Sequence, residues 1–145
     1  MFVVLAAFIL RPVAFKYRSK RDGAAWRNGW DWALFAGGAV PALLFGVAVG
    51  NAIAGMPLDS EGNVLSGVLD QLNPYGLLVG VMTVSLFALH GGLYLYLKTE
   101  GEFQARLRDW MWRSWGLFMV LFMLTTIATV AFIPGAIPNF ERWPW

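Results

Sequence analysis

The chain has 145 residues, of which 58% are hydrophobic and 14% charged, whereas soluble domains usually carry about 25% charged residues. The remaining charges lie between long uncharged segments, so the composition argues against a water-soluble domain. The formal net charge of +2 is spread over short stretches, which does not predict a nucleic-acid-binding face. The absence of cysteine excludes disulfides, thiolate metal sites and a cysteine nucleophile.

Four apolar segments follow in chain order. Residues 1–10 would form a helix of only about 15 Å, too short to cross a hydrocarbon core of about 30 Å. Residues 32–54, 74–97 and 115–133 contain no charge and are each long enough to cross. The sequence therefore predicts an all-α integral membrane helical bundle, with one truncated and three complete transmembrane helices in a single membrane domain over residues 1–145. The short first segment leads us to expect that sequence preceding it has been lost, or that an internal Met was taken as the start.

The charges between these segments alternate in sign. Residues 11–31 hold six cations and residues 98–114 hold four, whereas residues 55–73 hold carboxylates and no Lys or Arg. Because cytoplasmic loops of membrane proteins are enriched in Lys and Arg, we expect loops 11–31 and 98–114 in the cytoplasm. Loop 55–73 and the C-terminal tail are then external, in a multi-pass protein of a bacterial-type inner membrane. The acidic residues of the external loop are Asp59, Glu61 and Asp70.

Two local patterns lie at the cytoplasmic borders. Asp31 immediately precedes the second apolar segment and is typical of a helix N-cap, with Arg27 four residues away as a pairing partner. In the second basic loop, Phe103, Leu107 and Trp110 share one helical face. That pattern indicates either a short interfacial helix, with Glu102 and Arg106 spaced to pair across one turn, or an ordinary solvated connector.

Glycine spacing indicates where helices pack. Gly46 and Gly50 form a small-xxx-small pair in the second segment, and Gly76 and Gly80 repeat that spacing in the third. Such pairs allow helix backbones to approach closely. The alternative is that glycine is simply frequent in membrane helices.

Two polar residues within the apolar segments are candidate functional residues. His90 is the only histidine. Three roles are open for it: a neutral imidazole hydrogen-bonded to a neighbouring helix, a proton relay, or a metal ligand. Asn51 lies near the outer end of the second segment, where it either lines a polar path or caps the helix end. No paired catalytic carboxylates, phosphate loop or metal-ligand cluster is found, so no catalytic, cofactor-binding or metal residue is predicted.

Five motifs, in one order and spacing, resemble subunit II of the cytochrome bd-type quinol oxidases. They are residues 11–20 (RPVAFKYRSK), 26–32 (WRNGWDW), 40–51 (VPALLFGVAVGN), 72–78 (LNPYGLL) and 98–102 (KTEGE). The resemblance runs from Arg11 to about Arg108, and only hydrophobic character continues beyond Trp110. In that family this stretch would correspond to the end of the third span through the sixth, so the chain resembles a fragment of subunit II.

The resemblance implies a larger assembly. Subunit II of these oxidases pairs with a subunit I that carries haem b and haem d, oxidises quinol and reduces oxygen to water, in some cases with a small accessory subunit. This chain would then bind no haem itself and would be inactive alone, supporting subunit I in aerobic electron transport and in building the proton-motive force. Quinone and membrane lipid would be further partners, and nucleic acid would not.

Arg11 and Asn51 are the matching residues that the resemblance places nearest to function. Arg11 would sit at a helix end, where it either holds a buried carboxylate or haem propionate or anchors the helix by snorkelling to the interface. Together with Asn51 and His90 it forms the set of possible structural or proton-path residues. Two other functions stay open: half of a transporter or permease, and a nonfunctional truncated remnant.

Overall fold

The computed structural model describes residues 2–55, 67 and 70–133, and these residues form four α-helices and no strand. In chain order they are α1 (Phe2–Arg18), α2 (Ala24–Ala54), α3 (Pro74–Lys98) and α4 (Glu102–Phe132). The last three are long and apolar enough to cross a membrane. The predicted all-α fold with three complete spans is therefore confirmed. Most of loop 55–73 and the C-terminal tail lie outside the described residues.

The helices continue further than the apolar segments. α1 runs through Pro12 to Arg18 instead of ending before Arg11, α2 begins at Ala24, and α4 begins at Glu102. Most of the two basic segments is therefore helical, and the residues that connect the helices there are only 19–23 and 99–101. Residues 102–114 contain neither Gly nor Pro, so nothing in that stretch breaks a helix. The expected interfacial helix or connector is instead the first part of α4.

α3 has well-defined ends. The side-chain Oδ1 of Asn73 accepts a hydrogen bond from Gly76 N at 2.6 Å, and Pro74 occupies the first helical turn, which is a favoured arrangement at a helix start. At the other end, Gly101 has φ +77°, a conformation that only glycine adopts without strain. This glycine lets the chain turn from α3 into α4 within three residues.

The chain divides into two compact units, residues 1–45 and residues 46–145. The first holds α1 with the beginning of α2, and the second holds the end of α2 with α3 and α4. In both units the buried apolar side chains among the described residues are small, namely alanine, valine and Pro41, whereas many large apolar side chains are exposed. That distribution fits helices that pack through small residues and present their larger side chains to lipid or to other subunits.

Candidate functional site

Glycines bring α2 and α3 into backbone contact in the second unit. A Cβ placed on Gly46 would lie 2.6 Å from the Cα of Gly80 and 2.5 Å from Oγ1 of Thr83. A real Cβ does not come that close to backbone, so only glycine fits at position 46. The hydroxyl of Thr83 donates a hydrogen bond to Val79 O at 2.8 Å, so it has a partner within its own helix. The Thr83 side chain lies against Gly46.

One turn further along α2, Gly50 makes the second close contact. A Cβ on Gly50 would lie 3.0 Å from the Cα of Gly76 and 3.1 Å from Cβ of Val79. The four glycines singled out by their spacing thus face one another across α2 and α3. Val79 is buried and fills the space beside them.

Asn51 lies next to these glycines, at 8% exposure, and joins the two helices by hydrogen bonds. Its Nδ2 donates to Val47 O at 2.9 Å and to Gln71 O at 2.6 Å. Its Oδ1 accepts from Nδ2 of Asn73 at 2.6 Å. The amide is thereby fixed between its own helix and the segment that leads into α3.

Asn73 extends this network into α3, because its Oδ1 is the group that caps the helix. We call Asn51, Gln71, Asn73 and Gly76 the asparagine network. No buried side-chain nitrogen or oxygen among the described residues is left without a partner. Satisfied polar groups of this kind fix a unique arrangement of the helices that they join. Sequence reasoning singled out Asn51 but missed Asn73, although an asparagine before a proline at the start of an apolar segment is a recognisable cap signal.

His90 lies on α3, away from the asparagine network. Its side chain is exposed, and it makes no hydrogen bond with another described residue, unlike the interhelical bond that we considered. The described part of the chain contains no group of three or more His, Cys, Asp or Glu side chains that could bind a metal ion.

Arg11 lies in the first unit, within α1 and not at its end as expected. A Cβ placed on Gly37 of α2 would lie 2.8 Å from Cγ of Arg11 and 3.1 Å from the carbonyl oxygen of Ala7. The aliphatic stem of Arg11 therefore packs over a glycine, which allows α1 and α2 to approach closely there. Arg11 itself is exposed.

Two ion pairs lie near the connection between α1 and α2. Arg18 binds Asp31 through Nε and Nη2 at 2.5 and 3.2 Å, and Asp31 raises the pKa of Arg18 through this hydrogen bond and its charge. Arg27 binds Asp22 at 3.1 Å. The predicted pairing of Arg27 with Asp31 is thus wrong, as is the N-cap role of Asp31, which lies inside α2.

Aromatic rings and cations surround the same connection. Tyr17 stacks on Trp30 with ring centroids 5.8 Å apart, and Nε1 of Trp26 donates to the carbonyl oxygen of Tyr17 at 3.0 Å. Lys20 lies over the ring of Tyr17 and Arg21 over that of Trp26, at 4.6 and 5.0 Å from the centroids. Amphipathic rings with cations beside them are typical of the headgroup zone of a membrane.

A known protein family matches nearly the whole chain. The family model for cytochrome bd terminal oxidase subunit II matches residues 1–141. The chain belongs to this family. The resemblance seen in the five motifs is thereby confirmed, and membership of the subunit II family does not favour the transporter or remnant alternatives.

Individual relatives agree. A probable cytochrome oxidase subunit 2 from Haemophilus influenzae is 44% identical over 110 residues, which cover 73% of this chain and 29% of the relative. The cytochrome bd-I ubiquinol oxidase subunit 2 of Escherichia coli is 42% identical over 112 residues, which cover 74% of this chain and 30% of the relative. The cytochrome bd ubiquinol oxidase subunit 2 of Bacillus subtilis is 36% identical over 118 residues, which cover 81% of this chain and 35% of the relative. The chain spans about a third of the length of these subunit 2 relatives.

Proposed function

We propose that this chain supplies membrane helices of subunit II in a cytochrome bd-type quinol oxidase, where it supports a haem-bearing subunit I in aerobic electron transport. The observation that carries the proposal is the family match over residues 1–141. Relatives at 36 to 44% identity carry the name of an oxidase subunit 2.

The haem b and haem d of such an oxidase are proposed to lie in subunit I. A histidine that serves as an axial haem ligand must lie within a pocket that encloses the ring. His90 is the chain's single histidine, and it is exposed and lines neither of the two grooves between α3 and α4. His90 therefore does not fit a haem ligand, and we assign quinol oxidation to the partner subunit.

The glycine contacts and the asparagine network support a scaffold role. They hold the end of α2 against α3 at backbone distance, whereas only 6% of the residues in the most apolar stretch of α4 are buried. A rigid pair of helices beside a largely exposed third is a suitable frame for a partner subunit.

Proton access is the second part of the proposal, and Arg11, Asn51 and His90 contribute to it differently. An imidazole can both donate and accept a proton through its two ring nitrogens, so His90 is the residue of the three that would relay a proton. Arg11 would supply a fixed positive charge to a partner carboxylate or haem propionate. Asn51 would only hold the helices, since a carboxamide does not titrate and its polar atoms are already bonded.

A graft tests the scaffold proposal. The aligned segment of the Escherichia coli subunit 2 is replaced by the corresponding residues of this chain and expressed with its own subunit I. We expect membranes with haem b and haem d absorbance and with quinol oxidation. The same graft carrying Gly46→Leu should lose both signals, whereas Gly38→Leu should keep them, because a Cβ on Gly38 meets nothing within 4 Å. Full haem content in the Gly46→Leu graft would contradict the proposal.

We further propose that residues 19–23 and 99–101 face the cytoplasm and that residue 67 faces outward. Support comes from the charge alternation and from the cations that flank the first connection. Because the chain contains no cysteine, single substitutions report sidedness cleanly. Ser19→Cys and Glu100→Cys should resist a membrane-impermeant maleimide in intact cells, and Gly67→Cys should react. The reverse pattern would overturn the orientation and leave the scaffold proposal standing.

A further inference from the structure

A groove of about 490 Å³ lies between α3 and α4 in the second unit. Its volume is within the range of roughly 300–1,000 Å³ that is usual for small-molecule sites. Its lining includes Phe87, Gly91 and Leu95 from α3, and Phe103, Arg106 and Trp110 from α4.

Two adjacent glycines explain why a groove exists here. A Cβ on Gly92 would lie 3.0 Å from Cζ3 of Trp110 and 3.4 Å from Cγ of Met111, so the helices are in close contact at that point. A Cβ on Gly91 would meet nothing within 4 Å. The missing side chain at Gly91 thus leaves open space beside a tight contact.

The groove has one charged end. From Phe87 to Leu95 the groove extends roughly 12 Å along α3 at about 1.5 Å per residue, and the α3 residues that line it are apolar. Leu95 is close to the end of α3, and Arg106 is close to the start of α4, so both lie near the charged connection at residues 99–101. Arg106 forms no salt bridge with another described residue.

The lining indicates how deep in the membrane this end lies. A connection flanked by charged residues belongs at the water boundary, and tryptophan favours the headgroup zone, which places Trp110 and Arg106 near that level. An apolar slot that leads inward from a guanidinium at the headgroup level is complementary to a molecule with an anionic head and a hydrocarbon tail. Guanidinium also matches phosphate oxygens in pairs of hydrogen bonds.

We propose that this groove is a binding site for an anionic phospholipid, with its phosphate on Arg106 and an acyl chain along Phe87, Gly91 and Leu95. A quinone is a poorer match, because its head carries no negative charge to pair with Arg106. The second groove between the same helices, of about 400 Å³, is lined by apolar and aromatic residues without a cation. It therefore serves as an internal comparison that should not select for charge.

The experiment titrates the delipidated full chain, purified in mild detergent with the subunits that accompany it, with phosphatidylglycerol or phosphatidylcholine. Bound lipid is counted by native mass spectrometry. We expect saturable binding that favours phosphatidylglycerol. Arg106→Gln should weaken phosphatidylglycerol binding about tenfold, as expected for losing hydrogen bonds to a charged group, with little change for phosphatidylcholine. Gly91→Leu should weaken the binding of both lipids, because its side chain fills the groove.

Matched controls separate the site from general effects. Arg108→Gln removes a cation from the same helix without touching the groove, and Gly116→Leu adds a side chain where a Cβ meets nothing within 4 Å; both should bind like the unaltered chain. Unchanged helix content by circular dichroism shows that the variants fold. Equal lipid binding by Arg106→Gln and Arg108→Gln would overturn the proposal. Displacement of the lipid by ubiquinone, or no saturable binding to the unaltered chain, would overturn it as well.

Discussion

The two sides of α3 are built differently. On the side towards the end of α2, its glycines and Thr83 lie against the glycines of α2. Asn51 of α2 lies beside them, and it is buried and hydrogen-bonded. Towards α4 it meets side chains, with the Trp110 ring over Gly92 and with grooves on either side. One helix therefore forms both a close-packed junction and a looser one.

The difference shows where specificity is concentrated. Without a hydrophobic driving force between helices inside a bilayer, association depends on close packing and on interhelical hydrogen bonds. The α2–α3 junction has both, whereas α4 remains largely exposed: 6% of the residues in its most apolar stretch are buried, against 28% for α3. We therefore expect mutations to cost more at the α2–α3 junction than at the α3–α4 contact.

The largest effect is expected for Gly46→Ala. Its new methyl group would meet the backbone of Gly80 at 2.6 Å, and backbone cannot rotate away. Overpacking typically costs about 1–3 kcal/mol, and we expect the upper part of that range. The free energy of unfolding is measured by titrating dodecyl sulfate into the chain in maltoside micelles, followed by circular dichroism.

Gly38→Ala is the matched control in the same helix, since a Cβ there meets nothing within 4 Å. It should leave stability unchanged or raise it slightly through helix propensity. If both alanine variants behaved alike, the α2–α3 junction would not be the close-packed one.

The second effect concerns the asparagine network. Asn51→Ala would leave the amide of Asn73 and the carbonyl of Gln71 without their partner, at a cost of about 1–3 kcal/mol for buried groups. A double-mutant cycle with Asn73→Ala should give a coupling energy of at least about 0.6 kcal/mol, the average for interhelical hydrogen bonds in membranes. Additive losses would show that the two amides act independently. Asn28→Ala, at an exposed position of α2, should have no effect.

The sequence predicted the α2–α3 junction better than it predicted the lengths of the helices. Spacing of four between Gly46 and Gly50, and again between Gly76 and Gly80, is enough to propose a packing face, because residues four apart share a helix side. Hydropathy marks only the apolar part of a helix. It therefore could not show that α4 continues back to Glu102, where helix-forming residues outside the apolar segment extend it.

Contacts between distant residues were the least predictable. Local spacing suggested Arg27 as the partner of Asp31, but Arg18 of α1 is the residue that binds this carboxylate. The contact of Arg11 with Gly37 is likewise set by how α1 lies on α2. Such pairings depend on the three-dimensional course of the chain, and a pattern within a single segment does not contain it.

A smaller effect is expected at the α3–α4 contact for Gly92→Ala. The added methyl group would lie 3.0 Å from the edge of the Trp110 ring, and this side chain can move by a few tenths of an ångström. We expect a loss of about 1 kcal/mol, at the lower end for overpacking, in the same unfolding assay. Gly91→Ala, which meets nothing within 4 Å, should be neutral. A loss at Gly92 as large as that at Gly46 would remove the distinction between the two sides of α3.

The smallest effect is expected for Tyr75→Phe. The hydroxyl of Tyr75 lies 2.9 Å from Oγ1 of Thr129 and joins α3 to α4, but Thr129 also donates to Thr125 O within α4 at 2.7 Å. Removing the hydroxyl of Tyr75 therefore leaves Thr129 with its bond to Thr125, and we expect a loss of only about 0.6 kcal/mol. Tyr94→Phe, at a residue 60% exposed, controls for loss of a hydroxyl. A loss above about 2 kcal/mol at Tyr75 alone would mean that hydrogen bonding fixes α4 as firmly as glycine packing fixes α2.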